Sequence, residues 1–383
     1  MKKELSLYIH IPFCNSKCNY CSFISKVANN EEKAKYIECL KKEIKIQATQ
    51  YNKYYSVRTI FIGGGTPSCL ERGSIKDIMQ TIYRYFTVRN DAEITIEVNP
   101  NSITPEKVDE YIISGVNRFS IGLQCSDQKV LLNMGRTHST KDFDDAIKLI
   151  RGRGISNINA DIMLGYPDQS LEAVTKTVTH LVGLKIPHVS SYMLSVEDGT
   201  PLQTMIDKGV KYLPSENTVL NMYHRVTEIL NKYGYLKYEL SNFAKPGFMC
   251  KHNLVYWKRE DYLGFGVAAH SYINGTRFSN TENINKYIDC LNTLNKPPVA
   301  VAKHLTLEEK KEEFVMLSLR TAEGLNLDEY QKEFGKNFLL EHKEILSQFI
   351  KLKFLILTKE GYIKATSKGF LVLNKIILEI CSN

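Results

Sequence analysis

A β-rich run, a turn and a longer helical stretch recur along the first 200 residues, and this repeat restricts the chain to a sheet whose strands run the same way. The candidate strands are residues 5–11, 58–62, 93–98, 118–123, 158–163 and 189–194, several of them rich in Val, Ile, Phe or Tyr, as strands buried on both faces tend to be. Helical crossovers between six such strands imply a parallel α/β sheet. Between the first two, Ile37, Leu40, Ile44 and Ala48 form one apolar helical face, with Asn29 and Glu32 spaced as a capping pair. Periodicity alone is satisfied by an open wound sheet and by a curved partial barrel.

Beyond residue 200 the texture changes. Residues 216–233 read as a helix, and 235–278 are rich in glycine and aromatics with few clear periods. After Lys296-Pro297-Pro298 come three amphipathic stretches, 307–320, 325–334 and 339–351, and a hairpin signal at Lys359-Glu360-Gly361-Tyr362. Helices followed by a hairpin suggest a small winged-helix-like C-terminal domain. With 383 residues the chain exceeds what one core usually holds, and the expected division is 1–235, 236–299 and 300–383.

The composition, 43% hydrophobic and 24% charged, is that of a soluble globular protein. No apolar run approaches the roughly 18 residues of a membrane span, and no signal peptide opens the chain, so a cytoplasmic location is expected. The net charge of +8 is spread without a long basic run or a nucleic-acid motif, which argues against a nucleic-acid partner. A solvated basic surface accounts for it, with a site for carboxylate or propionate ligands as the sharper alternative.

Three of the nine cysteines crowd into Cys14-Asn15-Ser16-Lys17-Cys18-Asn19-Tyr20-Cys21, directly after the first strand. The other six are scattered, which is no disulfide framework. Three thiolates in one loop can hold three irons of a cubane and leave the fourth open to an outside ligand, whereas a structural zinc site wants four ligands. Packing thiols, or a zinc completed by His10, remain the alternative at this stage.

Polar residues and glycines gather at successive strand ends, where parallel α/β proteins bind ligands. Strand two ends in Gly63-Gly64-Gly65-Thr66-Pro67, whose missing side chains let backbone amides approach a ligand. Strand three ends at Glu97-Val98-Asn99-Pro100 and strand four at Gln124, strand five carries Asp161, and Arg136 follows strand four.

The cysteine spacing resembles that of the radical S-adenosylmethionine superfamily, in which the open iron binds the amino and carboxylate groups of S-adenosylmethionine. Tyr8-Ile9-His10-Ile11-Pro12-Phe13-Cys14, the glycine run, Ile96-Glu97-Val98-Asn99-Pro100, Gly122-Leu123-Gln124 and Asp161-Ile162-Met163-Leu164-Gly165-Tyr166-Pro167 resemble the family of oxygen-independent coproporphyrinogen III dehydrogenase (HemN) and its relative, the heme chaperone HemW. That resemblance implies a partial TIM-type (β/α)6 barrel. It further implies a [4Fe-4S] cluster on Cys14, Cys18 and Cys21, with S-adenosylmethionine contacted by Tyr8, Tyr20, Gly64, Gly65, Thr66, Glu97, Gln124, Arg136 and Asp161.

Two departures separate the relatives. The dehydrogenase pattern has a further Cys where this chain has Phe23, and a longer stretch ahead of the cluster. His252-Asn253-Leu254-Val255-Tyr256-Trp257 looks like the HNxxYW motif associated with heme binding in the chaperone branch, which implies His252 as a heme ligand. The expected function is therefore a chaperone that binds heme and passes it to apo-hemoproteins, membrane-associated respiratory proteins being candidate acceptors. The rival is a radical tetrapyrrole enzyme that decarboxylates coproporphyrinogen or opens heme. Gly264-Phe265-Gly266-Val267-Ala268-Ala269 matches a loose dinucleotide fingerprint, but it follows Lys258-Arg259-Glu260-Asp261 rather than a recognisable strand of a βαβ unit.

Overall fold

In the protein, a computed structural model describing residues 2–382, all six predicted strands form. They are β1 (Lys3–Ile11), β2 (Tyr55–Gly64), β3 (Val88–Val98), β4 (Arg118–Gln124), β5 (Ile158–Leu164) and β6 (His188–Met193). Each pairs in parallel with the next, so their C-terminal ends share one rim. Every residue of β4 is buried, as expected for a strand covered on both faces.

Helices supply the cover. The Asn30–Tyr51 helix starts with the expected capping box: Asn29 Oδ1 accepts from the Glu32 amide at 2.9 Å and Glu32 Oε2 from the Asn29 amide at 3.2 Å. Ile37, Leu40, Ile44 and Ala48 all face the core, each such aliphatic burial contributing about 1.5–3 kcal/mol for the larger side chains. The Glu216–Lys232 helix also forms where expected.

The aperiodic region resolves into short pieces that extend the same sheet: β7 (Leu236–Lys237), β8 (Asn242–Ala244), the Lys251–Trp257 helix, β9 (Tyr262–Phe265), β10 (His270–Ile273), β11 (Thr276–Asn280) and β12 (Val299–His304). The complete order is β12-β11-β10-β9-β1-β2-β3-β4-β5-β6-β8-β7. The barrel is therefore partial: β9 adds a parallel strand beside β1 with antiparallel β10 to β12 beyond it, and antiparallel β8 follows β6. β9 is a strand parallel to β1, contrary to the sequence expectation for the segment before Gly264. A strand follows it instead of a helix, so no βαβ unit is built. Gly266, at φ +101°, packs on the His10 carbonyl and the Tyr36 hydroxyl.

One apolar core joins these elements from Leu5 to Leu291, and a second, from Phe314 to Ile380, underlies the C-terminal part. There β13 (Leu325–Asn326), β14 (Leu355–Leu357) and β15 (Tyr362–Ala365) make a three-stranded sheet in the order β13-β15-β14. Two predicted helices are shorter than the pattern indicated. Leu325 and Asn326 belong to β13, and Asn326 caps the helix that begins at Leu327. The stretch 339–351 breaks at His342 into Phe338–Glu341 and Lys343–Lys351.

Candidate functional site

At the C-terminal ends of β1 to β6 lies a cavity of about 410 Å³, and the three clustered cysteines line it. Their loop is held at both ends. The Cys14 amide donates to the Lys26 carbonyl at 3.1 Å and the Lys26 amide to the Pro12 carbonyl at 2.9 Å. At the far side, the Asn19 amide donates to Met134 O at 3.0 Å and the Leu202 amide to Asn19 O at 2.9 Å. Cys14 is buried, Cys18 and Cys21 half-buried.

The glycine run serves this loop. A Cβ on Gly65 would stand 2.6 Å from the Phe13 carbonyl and 2.9 Å from Cys14 Sγ. Gly64, at φ +112°, lies against the His10 ring, and a Cβ on Gly63 would meet Glu97 at 2.8 Å. The close approach read from the sequence is thus in the first place an approach of the protein to itself. His10 is fully used as well: Nε2 pairs with the Ile24 carbonyl at 2.9 Å, so it carries the proton, and Nδ1 accepts from the Tyr8 hydroxyl at 3.0 Å. It has no nitrogen left to complete a zinc site. Among the described residues no three His, Cys, Asp or Glu side chains are placed to share one metal ion. A cubane asks instead for thiolates standing apart, one per corner iron.

Of the nine residues expected around S-adenosylmethionine, Tyr20, Gly64, Gly65, Thr66, Glu97, Gln124, Arg136 and Asp161 line the cavity. Tyr8 does not; it sits one layer below, bonded to His10 and stacked on Phe61. Glu97 accepts from the Gly64 amide at 3.1 Å. Burial and the neighbouring Asp161 push its carboxyl up to about 8. Asp161 Oδ1 accepts from Asn159 at 2.7 Å and from the Tyr192 hydroxyl at 2.8 Å.

Arg136 donates to the Tyr20 hydroxyl at 2.8 Å; the nearby Asp161 carboxylate acts on it through space but is bonded to Asn159 and Tyr192. A buried guanidinium facing a cavity and bonded only to a tyrosine hydroxyl suits a ligand carboxylate. Gln124 adopts φ +65° at a register shift between β4 and β5, and its Oε1 is buried without a hydrogen-bond partner. Asn99 Oδ1 is likewise buried and unpaired at the cavity wall. A set of thiols, a buried cation and orphaned acceptors fits a cluster with an amino-acid-like ligand on it. Tyr192 and Met193, also in the wall, escaped sequence reasoning because they lie inside the predicted strand 189–194 with no charge or glycine to mark them.

Comparison with known proteins agrees with this geometry. Residues 8–181 match the family model described as the radical SAM superfamily, and residues 305–372 the HemN C-terminal domain. Heme chaperone HemW of Lactococcus lactis is 33% identical over 98% of this chain and 97% of its own length. That of Bacillus subtilis is 34% identical over 97% of each.

The chain belongs to the HemW family of radical SAM proteins. Membership in it carries a [4Fe-4S] cluster and S-adenosylmethionine as cofactors. The solved structure of coproporphyrinogen III oxidase (HemN) from Escherichia coli superposes with a TM-score of 0.88 over 100% of this chain and 91% of that one; at 24% identity the likeness is one of fold. No helix among the described residues is long and apolar enough to cross a membrane.

The HNxxYW segment forms the Lys251–Trp257 helix, set against β2 and away from the cavity lining. His252 is 1% exposed and stacks on Phe61 with ring centroids 5.2 Å apart. Its Nδ1 pairs with Thr59 Oγ1 at 2.7 Å and its Nε2 with the Tyr256 hydroxyl at 2.8 Å. Burial, with Arg118 nearby, lowers its pKa to about 3, so the ring is neutral. Both nitrogens are engaged in this conformation. The structure thus does not bring His252 together with the cysteine loop: His252 stacks on Phe61, which stacks on Tyr8, one layer below the cavity lining.

Proposed function

We propose that the protein is a heme chaperone: it binds heme, with His252 as a ligand, and passes it to acceptor hemoproteins. The near-full-length similarity to proteins named heme chaperone HemW carries this reading. Phe23, which is 66% exposed at the cavity rim where the dehydrogenase pattern has a cysteine, supports the chaperone side of the family.

In this reading residues 1–235 hold the cluster and S-adenosylmethionine, 236–299 the heme ligand, and 300–383 form the winged-helix-like end. Cys14, Cys18 and Cys21 hold the cluster. Arg136 pairs the cofactor's carboxylate, Glu97 and Asp161 accept from its donors, and Gln124 and Thr66 orient it. The loaded cluster supplies an open iron and an electron; the chain's own residues bind, orient and exclude water. Membrane-associated respiratory proteins are the candidate acceptors, and the cytoplasm the expected compartment.

The test is anaerobic reconstitution followed by addition of S-adenosylmethionine, reductant and either heme or coproporphyrinogen III. Stable heme binding that passes to an apo-acceptor is expected. Steady formation of protoporphyrinogen, or of an opened tetrapyrrole, would overturn the reading.

A further inference from the structure

β5 and β6 run side by side with Asn159 opposite His188 and Asp161 opposite Ser190, and the alternation of a strand puts all four, with Tyr192, on the side that faces the cavity. Two donors converge on Asp161 Oδ1 and one reaches Glu97, so of these two buried carboxyls Asp161 is the one that stays ionised. An ionised carboxylate only accepts. The Asn159 amide must therefore turn its NH2 toward Asp161 and its oxygen away. The second Nδ2 proton goes to Ser120 Oγ at 2.8 Å, and Asn159 Oδ1 accepts from Ser190 Oγ at 3.0 Å and from His188 Nδ1 at 2.6 Å. All four hydrogen-bonding positions of this amide are filled.

His188 faces an acceptor through Nδ1, so that nitrogen carries its proton, and Nε2 accepts from the Tyr238 hydroxyl at 2.8 Å. Tyr238 in turn accepts from the Cys250 amide at 3.3 Å, so the segment beyond residue 235 fixes the imidazole from behind. Burial, with Arg118 nearby, holds the ring neutral. Asn159 and His188 are both buried, and neither lines the cavity. We infer that His188 is a positioning residue for the cofactor: by fixing the direction of the Asn159 amide it keeps a donor on Asp161 Oδ1 and leaves Oδ2 as the oxygen presented to the ligand. Oδ2 has only the Ser120 hydroxyl near it, at 3.5 Å. Without the Nδ1 proton the amide is free to turn over, and its oxygen would then stand against the carboxylate. The inference rests on the proposed contact between Asp161 and S-adenosylmethionine.

Equilibrium binding of S-adenosylmethionine to the anaerobically reconstituted full chain tests this, with a double-mutant cycle between His188→Leu and Asp161→Asn. His188→Leu should weaken binding about tenfold with iron and sulfide per chain unchanged. His188→Asn, whose amide offers a donor where Nδ1 stands, should restore the wild-type affinity. In the Asp161→Asn background His188→Leu should cost nothing further. If Asp161→Asn binds as the wild type does, the proposed contact and the positioning role fall together. If Asp161→Asn weakens binding and His188→Leu does not, the contact stands and the positioning role is disproved. Equal losses from His188→Leu in both backgrounds also disprove it, since the histidine would then act on the fold and not through Asp161. A measurement on the wild type guards against a misfolded variant. In the nitrogen NMR spectrum of histidine-labelled protein, with the His188 signals assigned by their absence from His188→Asn, the proton should sit on Nδ1. A proton on Nε2 overturns the inference.

Discussion

Gly64 packs so closely on His10 that a Cβ at residue 64 would stand 2.6 Å from the imidazole. The same ring holds the cysteine loop through the Ile24 carbonyl, so a methyl group at this point pushes on the loop itself. Gly64→Ala also places a side chain at φ +112°, a conformation that L-residues avoid. The expected result is a folded protein with little bound iron after reconstitution, measured as iron and sulfide per chain. Full iron content in this variant would mean that the loop tolerates displacement.

Cys18→Ala should reduce reconstituted iron to background, because two thiolates leave two irons of a cubane without protein ligands. Cys69→Ala, which alters a buried thiol outside the loop, serves as the control and should retain iron. Visible absorbance and iron analysis read both.

Arg136→Lys keeps the charge but loses the planar fork that meets Tyr20 at 2.8 Å and would meet a carboxylate. A charge-assisted hydrogen bond contributes about 1.5–3 kcal/mol, so affinity for S-adenosylmethionine should fall roughly tenfold to a hundredfold with iron content unchanged. Equilibrium binding to the reconstituted protein checks this; an unchanged affinity would remove Arg136 from the site.

His138 adds a pH term to stability. Burial, reinforced by Arg136, lowers its pKa to about 4 from 6.5, and its Nε2 donates to the Leu123 carbonyl. Between these values the unfolded chain binds a proton that the folded chain does not. The contribution is complete above pH 6.5 and is lost as pH falls toward 4, at about 1.4 kcal/mol per unit. Urea unfolding at pH 6.5 and pH 5 should therefore show a loss that is smaller by about 2 kcal/mol in His138→Gln. Equal losses in the two proteins would contradict the assignment.

The strands were legible because β2 to β5 are mostly buried and hold clustered apolar residues such as Ile60, Ile62, Ile94, Ile96, Phe119, Ile121 and Ile162, and the Asn29–Glu32 cap because its chemistry is local. The region 236–280 was not. Its strands are two to five residues long, too short for a period, and they join the sheet where β9 pairs with β1 and β8 with β6, β1 lying far away in sequence. The cavity-lining residues at strand ends were legible as a set, yet the reason for the glycines was not. Gly63, Gly64 and Gly65 look like a ligand cradle in sequence, and only the positions of Glu97, His10 and Phe13 reveal what each one makes room for. His252 is the opposite case, conspicuous in sequence and enclosed in the structure.

β1 carries the cysteine loop and is bounded by β2 on one side and β9 on the other. Its second neighbour, residues 262–265, leaves the ribosome long after the cysteines do. A nascent chain therefore exposes the thiols on a strand with one open edge for most of its synthesis. The strand's last partner also brings Gly266, whose backbone seals against the residue that braces the loop. Cluster insertion during synthesis and insertion into the finished protein would thus meet two different loops, one loosely held and one clamped, and the order of the two events becomes a property of this topology.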